Sequence, residues 1–210
     1  VAKPAGLPTM GVAADQLSLL DLAKDYIKHR YHKPGNVYLG VVSRLDAPVT
    51  GVVLIARTSK AARRLTEQFR TRAVEKTYWA LVEGRLDPPD GPCVDWVAQD
   101  ERHRRMWIVG PTAAGAKLAR LHYRQIAELP NSSLLEVALE TGRKHQIRLQ
   151  LAHRGHPVLG DRKYGSRLSW PQGIALHARR LVLTHPVRGV SLQLLAPLPA
   201  AWLRFGVDQP

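Results

Sequence analysis

Two short stretches of this sequence carry side chains that could do chemistry. In Ser43-Arg-Leu-Asp46-Ala-Pro-Val-Thr-Gly51 an acid follows one apolar run, and Pro48 and Gly51 shape a turn before the next. Turns at strand ends are where proteins expose reactive groups, although an Asp in such a turn also serves as a cap or an Asx turn. The second stretch is Glu140-Thr-Gly-Arg-Lys-His-Gln-Ile-Arg148, continuing through Arg154 and His156 to Asp161. Thr141-Gly142 predicts a strand-to-helix junction. The helix after it is expected to present Arg143, Lys144 and exposed amides to an anion. Arg148, four positions after Lys144, is expected on the same helix face. His145, His153 and His156 lack a carboxylate at ligand spacing and form no i,i+4 pair, so no metal site is expected.

Other chemistries have nothing to stand on. There is no Gly-x-x-x-x-Gly-Lys-Ser/Thr phosphate loop, no Gly-x-Ser-x-Gly elbow and no Gly-x-Gly-x-x-Gly turn. The single cysteine, Cys93, excludes an internal disulfide or a cysteine-rich zinc cluster and has no nearby base to activate it.

The elements that must position these residues alternate irregularly. Ser18-Leu-Leu-Asp21 predicts a capping-box start, with Leu19, Leu22, Ala23, Tyr26 and Ile27 at helical spacing. Ser59 starts a second helix, Lys60–Thr71, with Ala61, Leu65 and Phe69 on one face. His145–His153 reads as a third, ended by Gly155-His-Pro157, and Pro199–Phe205 as a short closing one. Strands are predicted at Val37–Val42, Val52–Ala56, Val74–Glu83, Leu118–Glu128, Leu134–Glu140, Leu176–Thr184 and Val190–Leu195. No repeat occurs, and the order favours α+β over a doubly wound sheet. Asp87–Pro92 is the only linker-like stretch and is too short to divide the chain, so one domain over residues 1–210 is expected.

Charge narrows the partner. The 210 residues hold 31 Lys+Arg against 17 Asp+Glu, a net charge of +14 with an ordinary apolar fraction of 45%. Residues 143–188 carry ten bases and one acid, Asp161, whereas residues 77–101 run acidic. Such segregation predicts a basic face and a polyanionic partner, nucleic acid above all. The longest apolar stretch, Leu194–Leu203, has ten residues and two prolines. A bilayer-spanning helix needs about 20, so a soluble, cytoplasmic protein without a membrane partner is expected.

At these residues the chain resembles the RluA-type family of RNA pseudouridine synthases. Lys3-Pro-Ala-Gly-Leu7 matches the family's opening Lys-Pro-x-Gly turn. Arg44-Leu-Asp46 with Thr50-Gly51-Val-Val-Leu resembles the segment holding its aspartate. Glu75-Lys-Thr-Tyr78-x-Ala80-Leu-Val-Glu-Gly84 is similar to its Lys-x-Tyr strand. Gly142-Arg-Lys-His-Gln-Ile-Arg148 through Gly155-His-Pro-Val-Leu-Gly-Asp161 resembles its third motif, and Leu176-His-Ala178 with His185-Pro186 its last. Two positions depart from the pattern. Ser43 stands where the family usually has His, and Val49-Thr50-Gly51 where it usually has Thr-Ser-Gly. Both fall where RNA is positioned, and neither replaces a group expected to do bond chemistry.

The resemblance implies a pseudouridine synthase fold, with a mixed, mainly antiparallel central sheet flanked by helices. It implies isomerisation of uridine in ribosomal or transfer RNA, with the base flipped out of its stack and no cofactor. Asp46 would be the essential carboxylate, attacking C1′ or removing the 2′ proton. Arg148 would pair with it, and Tyr78 would pack on the uracil and relay the C5 proton. Arg44 would fill the space of the flipped base, with Arg143, Lys144 and His145 among the RNA contacts. Many members carry a small N-terminal RNA-binding domain that is not recognisable here. The chain is therefore expected to be a monomeric catalytic domain, with upstream residues possible in a longer protein. The alternative from another class is a catalytically silent RNA-binding protein.

Overall fold

The computed structural model describes residues 1–13, 15–103 and 105–207. Its frame is a nine-stranded sheet. In chain order the strands are β1 (Ala2–Lys3), β2 (Gly40–Val41), β3 (Thr50–Val52), β4 (Ile55–Ala56), β5 (Glu75–Glu83), β6 (Asp90–Asp100), β7 (Arg105–Val109), β8 (Lys117–Leu129), β9 (Ser132–Leu139), β10 (Leu176–Thr184) and β11 (Ser191–Leu195). The large sheet runs β1-β3-β10-β5-β9-β8-β6-β7, with β11 also on β10, while β2 and β4 form a separate ribbon. All pairs are antiparallel except β10 with β3. The mixed, mainly antiparallel sheet expected from the sequence is therefore what forms.

Among the described residues four helices accompany the sheet: α1 (Leu19–Arg30), α2 (Ser59–Arg70), α3 (Gln146–His153) and α4 (Ala200–Leu203). The capping box of α1 forms as read. Ser18 Oγ accepts from the Asp21 amide at 3.3 Å, and Asp21 Oδ2 accepts from the Ser18 amide at 3.1 Å. In α2 the cap is Thr58, one residue before the expected Ser59, because its hydroxyl reaches the Ala61 amide at 3.2 Å. Leu65 and Phe69 of α2 pack on Val52, Leu181 and Leu183, forming a core separate from the main one around Leu81, Leu121, Leu135 and Leu151.

Three expectations need correction. Val37–Val42 is strand only at Gly40–Val41, and Tyr38 within it is exposed. Val52–Ala56 is not one strand, because β3 belongs to the large sheet and β4 to the small ribbon. The linker-like Asp87–Pro92 runs into β6, which pairs with β8 from Asp90 onward and with β7 only from Trp96. Gly91 and Pro92 conceal the start of that strand. Proline is tolerated there because β7 does not reach that part of β6. The β6–β7 hairpin has no simple apolar alternation to reveal it, since Asp95 faces inward beside Cys93 and Val97 to meet Gln150 and Arg154.

One row of the sheet sets the position of the site. Gly51 of β3, Ala178 of β10 and Tyr78 of β5 lie side by side. A Cβ at Gly51 would fall 2.3 Å from the Ala178 carbonyl oxygen, and its φ of 118° is strained for any other residue. Glycine thus lets β3 lie close on β10 and brings the turn before it, residues 43–49, beside Tyr78.

Candidate active site

The turn that carries Asp46 is held from below by the first ten residues. The Asp46 carbonyl accepts from the Val49 amide at 3.0 Å, closing the turn over Ala47 and Pro48. The Ala47 carbonyl receives the Gly6 amide at 2.8 Å and Lys3 Nζ at 3.0 Å. Lys3 also donates to the carbonyls of Pro4 and Leu7, at 2.8 and 2.7 Å. It is 2% exposed, and burial lowers its pKa to about 8 while the Asp46 charge works the other way. Thr9 clasps the next residue back, accepting from the Leu45 amide at 3.1 Å and donating to the Leu45 carbonyl at 2.8 Å. Ser43, where the family usually has His, accepts from the Leu54 amide at 2.8 Å and so ties the turn to the chain leading into β4.

The carboxylate itself meets an arginine from across the chain. Arg148 Nη1 donates to Asp46 Oδ2 at 2.8 Å. The same guanidinium turns two further N–H groups on Asp161, Nε to Oδ2 at 2.6 Å and Nη2 to Oδ1 at 2.9 Å. The side chains of Arg148 and Asp161 are 6% and 1% exposed, whereas that of Asp46 is 27% exposed. One acid is therefore a buried counter-ion and the other is offered to the cleft. Burial opposes the charge on Arg148, but the hydrogen bonds and charge of Asp161 and the charge of Asp46 outweigh it and raise its pKa.

Arg148 reaches this point because α3 is pinned along its length. Ile147 and Leu151 enter the main core, and Leu149 joins Val97, Met106 and Ala119. Gln146 Oε1 accepts from Thr141 Oγ1 at 2.8 Å and from the Arg143 amide at 2.9 Å. Gln150 Nε2 donates to Asp95 Oδ2 at 2.7 Å, as Arg154 does at 2.9 Å. The expected pairing of Lys144 and Arg148 on one helix face does not occur. Lys144 precedes α3 and is exposed, while Arg148 points inward. The Gln146 amide at the helix start donates to the Arg143 carbonyl at 3.1 Å, so it is not turned to an anion as expected.

A cleft of about 450 Å³ opens over these groups, and all seven residues singled out in the sequence line it: Arg44, Asp46, Tyr78, Arg143, Lys144, His145 and Arg148. Burial first, and then the Asp46 charge, raise the Tyr78 pKa, so its phenol is protonated at neutral pH. Arg44 and Lys144 are exposed, whereas Arg143 Nε is engaged by the Leu118 carbonyl at 2.9 Å. Burial lowers the His145 pKa to about 4, with Arg148, Lys163 and Lys144 reinforcing and Asp46 opposing, so the ring is neutral at pH 7. Its Nε2 lies 3.6 Å from Asp46 Oδ2, longer than a hydrogen bond. Among the described residues, no three His, Cys, Asp or Glu side chains are grouped to hold a metal ion.

The expected basic face is thinner than the charge count. Of the ten bases in 143–188, several are engaged within the fold. Arg148 and Arg154 meet Asp161 and Asp95, Arg162 holds the Ser166 carbonyl, and Arg179 the Ala196 carbonyl. Lys3 and Asp161 stood within the sequence motifs without a role, and Thr9 and Tyr164 were not singled out at all. Asp161 did leave a signal as the one acid in that basic run.

The chain belongs to the RNA pseudouridylate synthase family, whose model matches residues 1–153. It is 43% identical over 169 residues to an uncharacterised RNA pseudouridine synthase of Chloroflexus aurantiacus, covering 79% of this chain and 52% of that protein. It is 38% identical over 174 residues to ribosomal large subunit pseudouridine synthase D of Xylella fastidiosa, covering 76% and 51%. Among solved structures, human RNA pseudouridylate synthase domain containing 4 superposes with a TM-score of 0.80 at 28% identity, over 100% of this chain and 90% of that one. The chain spans about half the length of the curated relatives it matches.

Proposed function

We propose that this protein isomerises uridine to pseudouridine in RNA, with Asp46 as the carboxylate that acts on the ribose. The observation that carries the reading is the asymmetric ion triplet. Asp161 neutralises Arg148 inside the fold, and Arg148 donates to a second, partly exposed carboxylate that lines the cleft. A binding surface for phosphates does not need a carboxylate there, and its charge would repel them. A catalytically silent RNA-binding protein is the poorer reading for that reason.

In the reaction the N1–C1′ bond breaks, the uracil turns, and a C5–C1′ bond forms. The C5 proton leaves and N1 gains one, so atoms and electrons balance without an oxidant or cofactor. An ionised carboxylate at the ribose serves either route to cleavage, attack on C1′ or removal of the 2′ proton. Tyr78 borders the same cleft with a protonated phenol, suited to packing on the uracil and relaying the C5 proton. The target base has to leave its stack, at a cost of a few kcal/mol. Exposed Arg44, two positions before Asp46 and on the same cleft, would fill the gap, while Arg143, Lys144 and His145 line the cleft. The name of the Xylella relative makes ribosomal RNA the first substrate to test and transfer RNA the second.

The decisive variant is Asp46→Asn, which keeps shape while removing charge. It is expected to bind RNA and form no pseudouridine, measured by base mapping of treated ribosomal and transfer RNA. Turnover by the variant would remove Asp46 from the chemistry.

A further inference from the structure

The reaction as proposed leaves one well-connected group without a task. Tyr164, at the end of a 3₁₀ turn over Arg162–Tyr164, packs edge-on against His145 with ring centroids 5.7 Å apart. Its hydroxyl meets two polar atoms among the described residues. The Met106 amide donates to it at 3.1 Å, and His145 Nδ1 lies 2.8 Å away. Met106 belongs to β7, so the hydroxyl oxygen is fixed by the backbone of a strand and is not free to turn away.

These contacts decide where the protons go. The amide of Met106 can only donate, so it occupies a lone pair of the Tyr164 oxygen. The phenol proton then has one acceptor in reach, His145 Nδ1. If Nδ1 carried a proton instead, the phenol proton would be left without an acceptor beside a half-buried ring. The arrangement that uses both donors has Tyr164 donating to Nδ1, which places the imidazole proton on Nε2. Burial keeps His145 neutral at pH 7, so the ring has a single proton to place. Nε2 faces the cleft, 3.6 Å from Asp46 Oδ2 and without a hydrogen-bond partner among the described residues. His145 sits at φ 53° and ψ 21°, the left-handed region, immediately before α3. That conformation is strained for a residue other than glycine.

We propose that Tyr164 is a positioning residue that fixes His145 as its Nε2–H tautomer, making His145 a neutral hydrogen-bond donor to an oxygen of the target nucleotide beside Asp46. This rests on the functional reading above for the identity of the acceptor, but not for the tautomer. A neutral donor suits the position. A protonated imidazolium would compete with Arg148 for the carboxylate, whereas a neutral N–H supports an oxygen on the substrate while leaving Asp46 charged.

The test separates the two claims. Ring-nitrogen NMR shifts of His145 in the protein without RNA are expected to show the Nε2–H form near pH 7. In Tyr164→Phe they are expected to move toward a mixture of tautomers. An Nδ1–H form in the wild type, or a tautomer unchanged in Tyr164→Phe, would overturn the proposal. With RNA, Tyr164→Phe is expected to lower kcat by roughly tenfold, less than the 10²–10³ of a donor removed outright because the Nε2–H form stays partly populated, with KM little changed. His145→Gln, which can place an amide N–H near the position of Nε2, is expected to retain more activity than His145→Ala at equal RNA affinity. Equal loss in those two variants would overturn the donor role. If the wild type forms no pseudouridine on any RNA, the functional reading fails, while the NMR measurement still decides the tautomer.

Discussion

Asp161 sets the pose of Arg148 without itself lining the cleft. It takes two of the N–H groups of Arg148 and leaves Nη1 aimed at Asp46. Asp161→Asn removes a buried charge from a buried partner. Breaking a buried pair outright costs about 3–5 kcal/mol, and the loss here is expected at or below the low end of that range because Asp46 still holds Arg148. Denaturant unfolding is expected to show that loss, and the surviving folded protein should form pseudouridine more slowly as Arg148 is freed to turn toward Asp46 alone. Unchanged stability would mean that the pair is not the anchor described here. Tyr78 and Arg148 were legible in the sequence by resemblance, but the pairing of Arg148 with Asp161 was not. Thirteen positions separate those two residues, and no helical or strand periodicity joins them.

At the scale of elements, the turn carrying Asp46 is rigid because other segments supply its hydrogen bonds. Thr9 satisfies both the amide and the carbonyl of Leu45. Thr9→Val preserves shape and removes both bonds, and each buried polar group left unpaired costs about 1–3 kcal/mol. Lower stability together with reduced kcat is expected, measured by denaturation and by single-turnover rates. A fall in stability with kcat intact would show that the clasp serves folding alone. Gly51→Ala is a harsher test, since the added Cβ would meet the Ala178 backbone at 2.3 Å. Overpacking and strain of this kind cost several kcal/mol, so little folded protein is expected by circular dichroism. The helices were the most legible elements, because caps and apolar spacing are local signals, as at Ser18 and Asp21. The β6–β7 hairpin was not, because its inward Asp95 is polar and its inward partners, Gln150 and Arg154, come from α3 and the residue after it.

For the whole molecule, pH and salt report two different properties. His145 and His177 both have pKa values lowered to about 4, chiefly by burial, from an ordinary 6.5. Between those limits the unfolded chain binds protons that the folded one does not. Stability is therefore fully present above about pH 6.5 and falls as pH drops toward 4, by a few kcal/mol in all from these two groups. Urea midpoints measured from pH 7 to pH 4 check this, and a flat profile would place both rings nearer solvent. Salt probes the proposed RNA contacts. Because Arg148, Arg154, Arg162 and Arg179 are engaged inside the fold, RNA affinity is expected to depend on salt through fewer contacts than the charge count suggests. Lys144→Ala is expected to reduce the slope of log K against log salt by about 0.7. An unchanged slope would remove Lys144 from the phosphate contacts.

The sequence by itself determined the local facts: the capped helices, the turn around Asp46, the excess of positive charge and the ordered motifs that mark the family. Each depends on neighbours in the chain or on residue type. Only the tertiary structure decided which charges work outward and which inward. Arg148 and Lys144 look alike four positions apart, yet one is sealed between two carboxylates and the other is exposed. That difference arises from burial and from partners more than ten residues away. No local pattern records it, because a charge's role follows from what surrounds it in space.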